Sequence, residues 1–78
     1  MRYVYPVELL PDAGGYLIHC PDIPEVVAQG ATRDEAIANA RVALVDQFAS
    51  YSARGRAFPE PSPVRKGQEA VTVEFEWQ

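Results

Sequence analysis

The sequence predicts an α+β domain with the order β-β-β-α-β, a mixed sheet carrying one long helix packed on one face. Three observations lead there. The first 30 residues hold three short runs rich in Tyr, Val, Leu and Ile, separated by Gly and Pro. A stretch of roughly twenty residues then repeats its apolar side chains at helical spacing. The last segment alternates apolar and polar residues, as a strand does.

The first strand spans Arg2 to Leu10. Pro6 lies inside it and lacks an N–H, so the strand needs a bulge or an unpaired side there. Pro11-Asp12-Ala13-Gly14-Gly15 reads as a turn, because glycine tolerates positive φ. Tyr16 to Cys20 completes a hairpin, Pro21-Asp22-Ile23-Pro24 interrupts it, and Val26 to Gln29 forms a short third strand ended by Gly30. Thr32-Arg33-Asp34-Glu35 then fits a capping box. The Thr32 hydroxyl accepts from the Glu35 N–H, and the Glu35 carboxylate accepts from that of Thr32. The helix runs from Arg33 to about Arg54, with Gly55 as its left-handed terminator.

At about 100° per residue, Ile37, Ala40, Leu44, Phe48 and Tyr51 share the stripe that faces the sheet. Glu35, Asn39, Asp46 and Ser50 face solvent. Ala38, Val42, Val45 and Ala49 form a second apolar flank, which is either a wide core face or a subunit contact. Residues Arg56 to Gln68 form a connection whose Pro59, Pro61 and Pro63 favour an extended tether. In the final strand, Glu69 to Trp77, Val71, Val73, Phe75 and Trp77 share one face while Thr72, Glu74 and Glu76 share the other. A right-handed crossover through the helix would lay this strand parallel to one already in the sheet, with its place beside the first strand.

At 78 residues the chain is one domain with a thin core that a partner subunit would help. No run of about 18 apolar residues marks a membrane span. A lone cysteine, Cys20, excludes an intrachain disulfide, and the expected compartment is the cytoplasm. Net charge is −4, from 11 acids against 7 bases. Such a domain repels phosphate backbones and suits a basic protein partner.

The residues offer little catalytic chemistry. His19 and Cys20 are strand neighbours that point to opposite faces, so they do not form a nucleophile–base pair. Glu8 with Glu74 or Glu76 could hold Mg²⁺ if neighbouring strands brought them together, but exposed strand carboxylates usually serve solubility and edge protection. Gly14-Gly15 lacks phosphate-loop spacing. The sequence therefore predicts no catalytic residue, no metal and no cofactor.

The ordered set Tyr5-Pro6-Val7, Asp12-Ala13-Gly14-Gly15-Tyr16, Cys20-Pro21-Asp22-Ile23-Pro24, Gln29-Gly30-Ala31-Thr32, Asp34-Glu35-Ala36 and Asn39-Ala40 resembles the N-terminal domain of HicB-type antitoxins. Glu25-Val26 departs from that pattern, where Gly-Cys is usual. The resemblance implies a degraded RNase H-like fold without a catalytic site. It implies a type II toxin–antitoxin role in which the domain binds a small basic HicA-type RNase toxin and masks its active site. It favours a homo-oligomer, at least a dimer. The family often adds a C-terminal DNA-binding domain, and nothing in residues 1–78 reads as one, so direct DNA binding by this chain alone is not expected. An orphan HicB-like interaction module with another partner, a metal-dependent nuclease and a DNA-binding regulator are the competing readings.

Two surfaces are candidates for contact. Asp22, Ile23 and Glu25 sit on a proline-stiffened turn that couples acids to an apolar side chain, which suits a basic toxin, although Asp22 could equally organise the turn and Ile23 pack beneath it. Val42 and Val45 of the helix flank, with Phe75 and Trp77 of the last strand, are the candidate oligomer interface.

Overall fold

The structure, a computed structural model, describes residues 1–76. Its elements are β1 (Arg2–Asp12), β2 (Gly15–His19), β3 (Val27–Gly30), α1 (Arg33–Ala53) and β4 (Glu69–Glu74). The α+β class and the β-β-β-α-β order are as the sequence predicts. The strands form one sheet in the order β3-β2-β1-β4.

β1 divides its pairing between two neighbours. Arg2 to Val7 pair with β4, and Glu8 to Asp12 pair with β2. Pro6 lies opposite Ala70 of β4, below the point where β2 joins the sheet. Its missing N–H therefore removes no bond to β2, and no bulge is needed.

Every neighbouring pair is antiparallel. This corrects the mixed sheet. β4 does lie beside β1 and does run in the direction of β2, but without touching it. The reason is the connection after α1. Residues 56–68 climb back along the body before β4 starts, touching Tyr3 through Phe58, Tyr5 through Pro59 and Glu8 through Gln68. β4 therefore begins opposite Val7 and descends to Arg2. A crossover that entered β4 directly from the helix end would have run the other way.

The helix ends follow local chemistry. The Glu35 N–H donates to Thr32 Oγ1 at 3.1 Å. The Glu35 carboxylate accepts from the Ala31 N–H at 3.0 Å rather than from that of Thr32, so the reciprocal bond falls one residue early. Arg54 is the C-cap and Gly55 has φ of 66°, the left-handed terminator the sequence predicts. A Cβ on Gly30 would lie 2.5 Å from the Ala36 nitrogen, so only glycine lets β3 pass beneath the first helical turn.

α1 buries Ala36, Ala40, Leu44, Phe48 and Tyr51 against Tyr5, Val7, Ile18, Cys20, Ile23, Val26, Val71 and Val73. Ile37 is only partly buried, and Ala36, beside Gly30 of β3, is the buried residue of the first turn instead. Of the second flank, Val45 packs partly against the core, whereas Val42 is 61% exposed and Ala38 and Ala49 are exposed too, so the core face widens only at Val45. Phe48 anchors an aromatic cluster, with ring centroids 5.3 Å from Tyr3, 5.7 Å from Tyr5, 4.6 Å from Phe58 and 5.6 Å from Phe75. Such pairs add roughly 0.5–1.5 kcal/mol each beyond area burial.

Both edge strands are tied to the helix. Asn39 Nδ2 donates to the Gln29 carbonyl of β3 at 2.8 Å. Arg41 Nε donates to the Thr72 carbonyl of β4 at 3.0 Å. Each bond occupies a group that an incoming strand would use, which protects the edge from stray pairing. Asn39 is thus exposed but engaged.

Candidate functional site

The turn between β2 and β3 is built by its own backbone. The Ile23 N–H donates to the Cys20 carbonyl at 3.2 Å and the Val26 N–H donates to the Ile23 carbonyl at 2.9 Å. These bonds turn Ile23 inward, and it is fully buried. Its role is packing, the structural option left open above, so it offers a partner no surface. Pro24 and Glu25 remain exposed.

Asp22 is held from across the fold. Its Oδ2 accepts the Ser62 N–H at 2.7 Å and its Oδ1 accepts the Ser62 hydroxyl at 2.7 Å. Close by, the Tyr5 hydroxyl donates to the Pro59 carbonyl at 2.5 Å. Phe58 stacks on Phe48. The proline-rich connection is therefore a strap fastened at three points rather than a loose tether. Sequence reasoning missed Phe58, Pro59 and Ser62. The alternating prolines signalled extension, but nothing local says where an extended segment docks.

At this end the carboxylates of Asp22 and Glu25 meet hydroxyls rather than cations. The Tyr51 hydroxyl lies 3.5 Å from both carboxylate oxygens of Glu25, and the Arg56 guanidinium sits 5.3 Å over the Tyr51 ring. Asp22, Glu25 and Glu60 form no ion pair among the described residues, whose ion pairs are Arg2–Glu74, Arg33–Asp34 and Arg33–Glu69. Beneath them, burial pushes the Tyr5 phenol far above its ordinary range, with Cys20, Asp22 and Glu60 adding to the effect. Burial also pushes the Cys20 thiol up. At neutral pH both groups are protonated, so Cys20 is a small core residue and not a nucleophile.

Residues 4–75 match the family described as the HicB-like antitoxin of bacterial toxin–antitoxin systems. The chain belongs to this family. The HicB-like chain is 46% identical over 70 residues to antitoxin HicB 1 of Photorhabdus laumondii, covering 88% of this chain and 44% of that protein. Against antitoxin HicB of Escherichia coli K12 the identity is 39%, over 88% of this chain and 51% of the relative. The chain thus spans about half the length of the curated relatives it matches. The crystal structure of the N-terminal domain of Burkholderia pseudomallei antitoxin HicB superposes with a TM-score of 0.71 at 27% identity, covering 97% of this chain and 99% of that one.

In this HicB-like domain the acids proposed for a metal do not converge. Glu8 lies opposite His19, whereas Glu74 lies opposite Arg2, six residues away along β1. At about 3.4 Å per residue that is on the order of 20 Å. No metal-binding group of three His, Cys, Asp or Glu occurs among the described residues. Among them, too, no helix is long and apolar enough to cross a membrane.

Of the four candidate oligomer residues, Val42 is exposed and Val45 is half-buried. Phe75 is half-buried, with its ring packed edge-on against Phe48. Trp77 lies outside the described residues.

Proposed function

We propose that this chain is the toxin-binding part of a type II antitoxin, which captures a small basic HicA-type RNase toxin in the cytoplasm and masks its active site without catalysing a reaction. The observation that carries this reading is membership of the HicB-like antitoxin family over residues 4–75. The names of the curated relatives, all antitoxins, support a non-enzymatic role. The acidic balance adds a physical reason. A toxin that grips RNA presents cations for phosphate, and carboxylates at matching positions compete for them. Glu25 is the candidate contact on the turn, with Asp22 beside it.

The test is an RNA cleavage assay with a purified HicA-type toxin encoded beside this chain's gene. Adding the chain at equal concentration is expected to stop cleavage. Unchanged cleavage, with the two proteins eluting separately, would refute the reading and favour an orphan HicB-like module with a different partner.

Homo-oligomerisation through the helix flank is a second proposal, favoured by the 61% exposure of Val42. A Val42→Asp variant should lower the mass seen in sedimentation. A wild type that is monomeric at high concentration ends the idea.

A further inference from the structure

The structure assigns Asp22 as a positioning residue that staples the strap to the turn, so that a basic protein meets one composite surface carrying Glu25 from the turn and Glu60 from the strap. This inference rests on the antitoxin reading and deepens it, by adding the strap to the contact surface and moving Asp22 from contact to support.

Three observations support it. First, Asp22 spends both carboxylate oxygens on one residue, Ser62, forty positions away in the chain. Bidentate acceptance of an N–H and an O–H fixes distance and orientation together, as a single bond would not. Second, Glu60 lies between two fastenings, the Pro59 carbonyl held by Tyr5 and Ser62 held by Asp22, and it is exposed. Glu60 and Asp22 are both close enough to Tyr5 to raise its pKa, so the two carboxylates share a neighbourhood. Third, Pro21, Pro24, Pro59, Pro61 and Pro63 stiffen both segments, which reduces the entropy a partner must remove on docking.

Charge complementarity selects the occupant. The partners of Asp22 and Glu25 are hydroxyls and an amide, which hold a carboxylate without pairing it with a cation. Elsewhere Glu69 and Glu74 each face an arginine of the same chain. Arg56 lies over the Tyr51 ring, and Arg65 lines the same crevice as Asp22 and Ser62. Neither forms an ion pair with Asp22, Glu25 or Glu60 among the described residues. The surface thus suits an arginine- or lysine-rich protein face.

The test uses NMR on the isotope-labelled chain titrated with an octa-arginine peptide, beside limited trypsin digestion of the strap. In the wild type the amide signals of Glu25, Glu60 and Ser62 should move together along one binding curve. Asp22→Ala should uncouple Glu60 from Glu25 and speed cleavage after Arg65 about tenfold, since two hydrogen bonds to a charged acceptor are lost. Ser62→Ala, which keeps the N–H bond, should speed it a few-fold, and Asp22→Asn should recover part of the protection. Peptide-induced shifts confined to Asp12, Asp34 and Glu35, or cleavage rates unchanged in both alanine variants, would overturn the inference. The cleavage assay separates the two levels. A wild type that does not inhibit the toxin sinks the antitoxin reading. A wild type that inhibits, with Asp22→Ala and Glu60→Lys inhibiting equally fast, sinks only the composite surface.

Discussion

The β4 side and the turn–strap end use the same residue types in opposite ways. Along β4, Glu74 accepts from Arg2 and Glu69 accepts from Arg33, and Arg41 reaches the Thr72 carbonyl. At the turn–strap end, Asp22 is held by a serine and Glu25 lies near a tyrosine hydroxyl. On one side Glu69 and Glu74 are paired with cations of the same chain. On the other Asp22 and Glu25 meet hydroxyl and amide groups instead. Both sides have ordered carboxylates, and the chemical identity of the donor is what differs.

The largest effect is expected where the two regions meet. Phe48 touches Phe58 of the strap and Phe75 beyond β4. Phe48→Ala should remove about 3–5 kcal/mol of stability in urea denaturation, because the cavity lies under both regions at once. A loss below about 1 kcal/mol would mean that strap and sheet are held independently.

Tyr5→Phe should act on the strap alone. It removes the bond to the Pro59 carbonyl and is expected to lower stability by about 0.5–1.5 kcal/mol at neutral pH. The alkaline limb checks the cause. The folded chain holds the phenolic proton well above 10.0, the value the unfolded chain takes. This contribution is therefore complete below pH 10 and is lost as pH rises beyond it, since the unfolded state binds fewer protons there. Thermal midpoints should fall above pH 10 in the wild type and fall less steeply in Tyr5→Phe.

Arg2→Ala should matter least to stability. The side chains of Arg2 and Glu74 are 70% and 68% exposed, and such pairs contribute about 0–1 kcal/mol. The informative result is electrostatic. Baring Glu74 should create a second attractive site for a basic partner and make association more salt-sensitive. Glu25→Lys is the converse. Its thermal midpoint should stay nearly unchanged while association with a basic toxin slows at low salt. Lost folding in that variant would instead give Glu25 a structural role through Tyr51.

Elements governed by nearby residues were legible in the sequence. The Thr32 cap, the Gly55 terminator, the hairpin at Gly14 and the burial of Ala40, Leu44, Phe48 and Tyr51 all follow from spacing within a few positions. Strand direction was not legible, because it depends on how far residues 56–68 climb before β4 begins. The inward turn of Ile23 was left open, since one proline-rich turn can present or bury the same side chain. The staple between Asp22 and Ser62 was invisible for a different reason. Neither residue has a local partner that betrays the contact, and forty positions of chain lie between them. The site's acids were therefore visible as residues, whereas their support was not.

The divided pairing of β1 also sets an order of assembly. Its second half can zip to β2 through a hairpin turn as soon as both strands exist. Its first half must wait for Glu69 to Glu74, and the ladder continues with Met1 and Phe75 exchanging backbone bonds at 2.9 Å each. Bringing such distant segments together is entropically slow compared with closing a short loop. On the ribosome, β1 thus emerges before β2, β3 and β4 yet is completed last of the four. Until residues near 75 clear the exit tunnel, the inward faces of Tyr3 and Tyr5 have no β4 beside them, which leaves apolar surface open to chaperones.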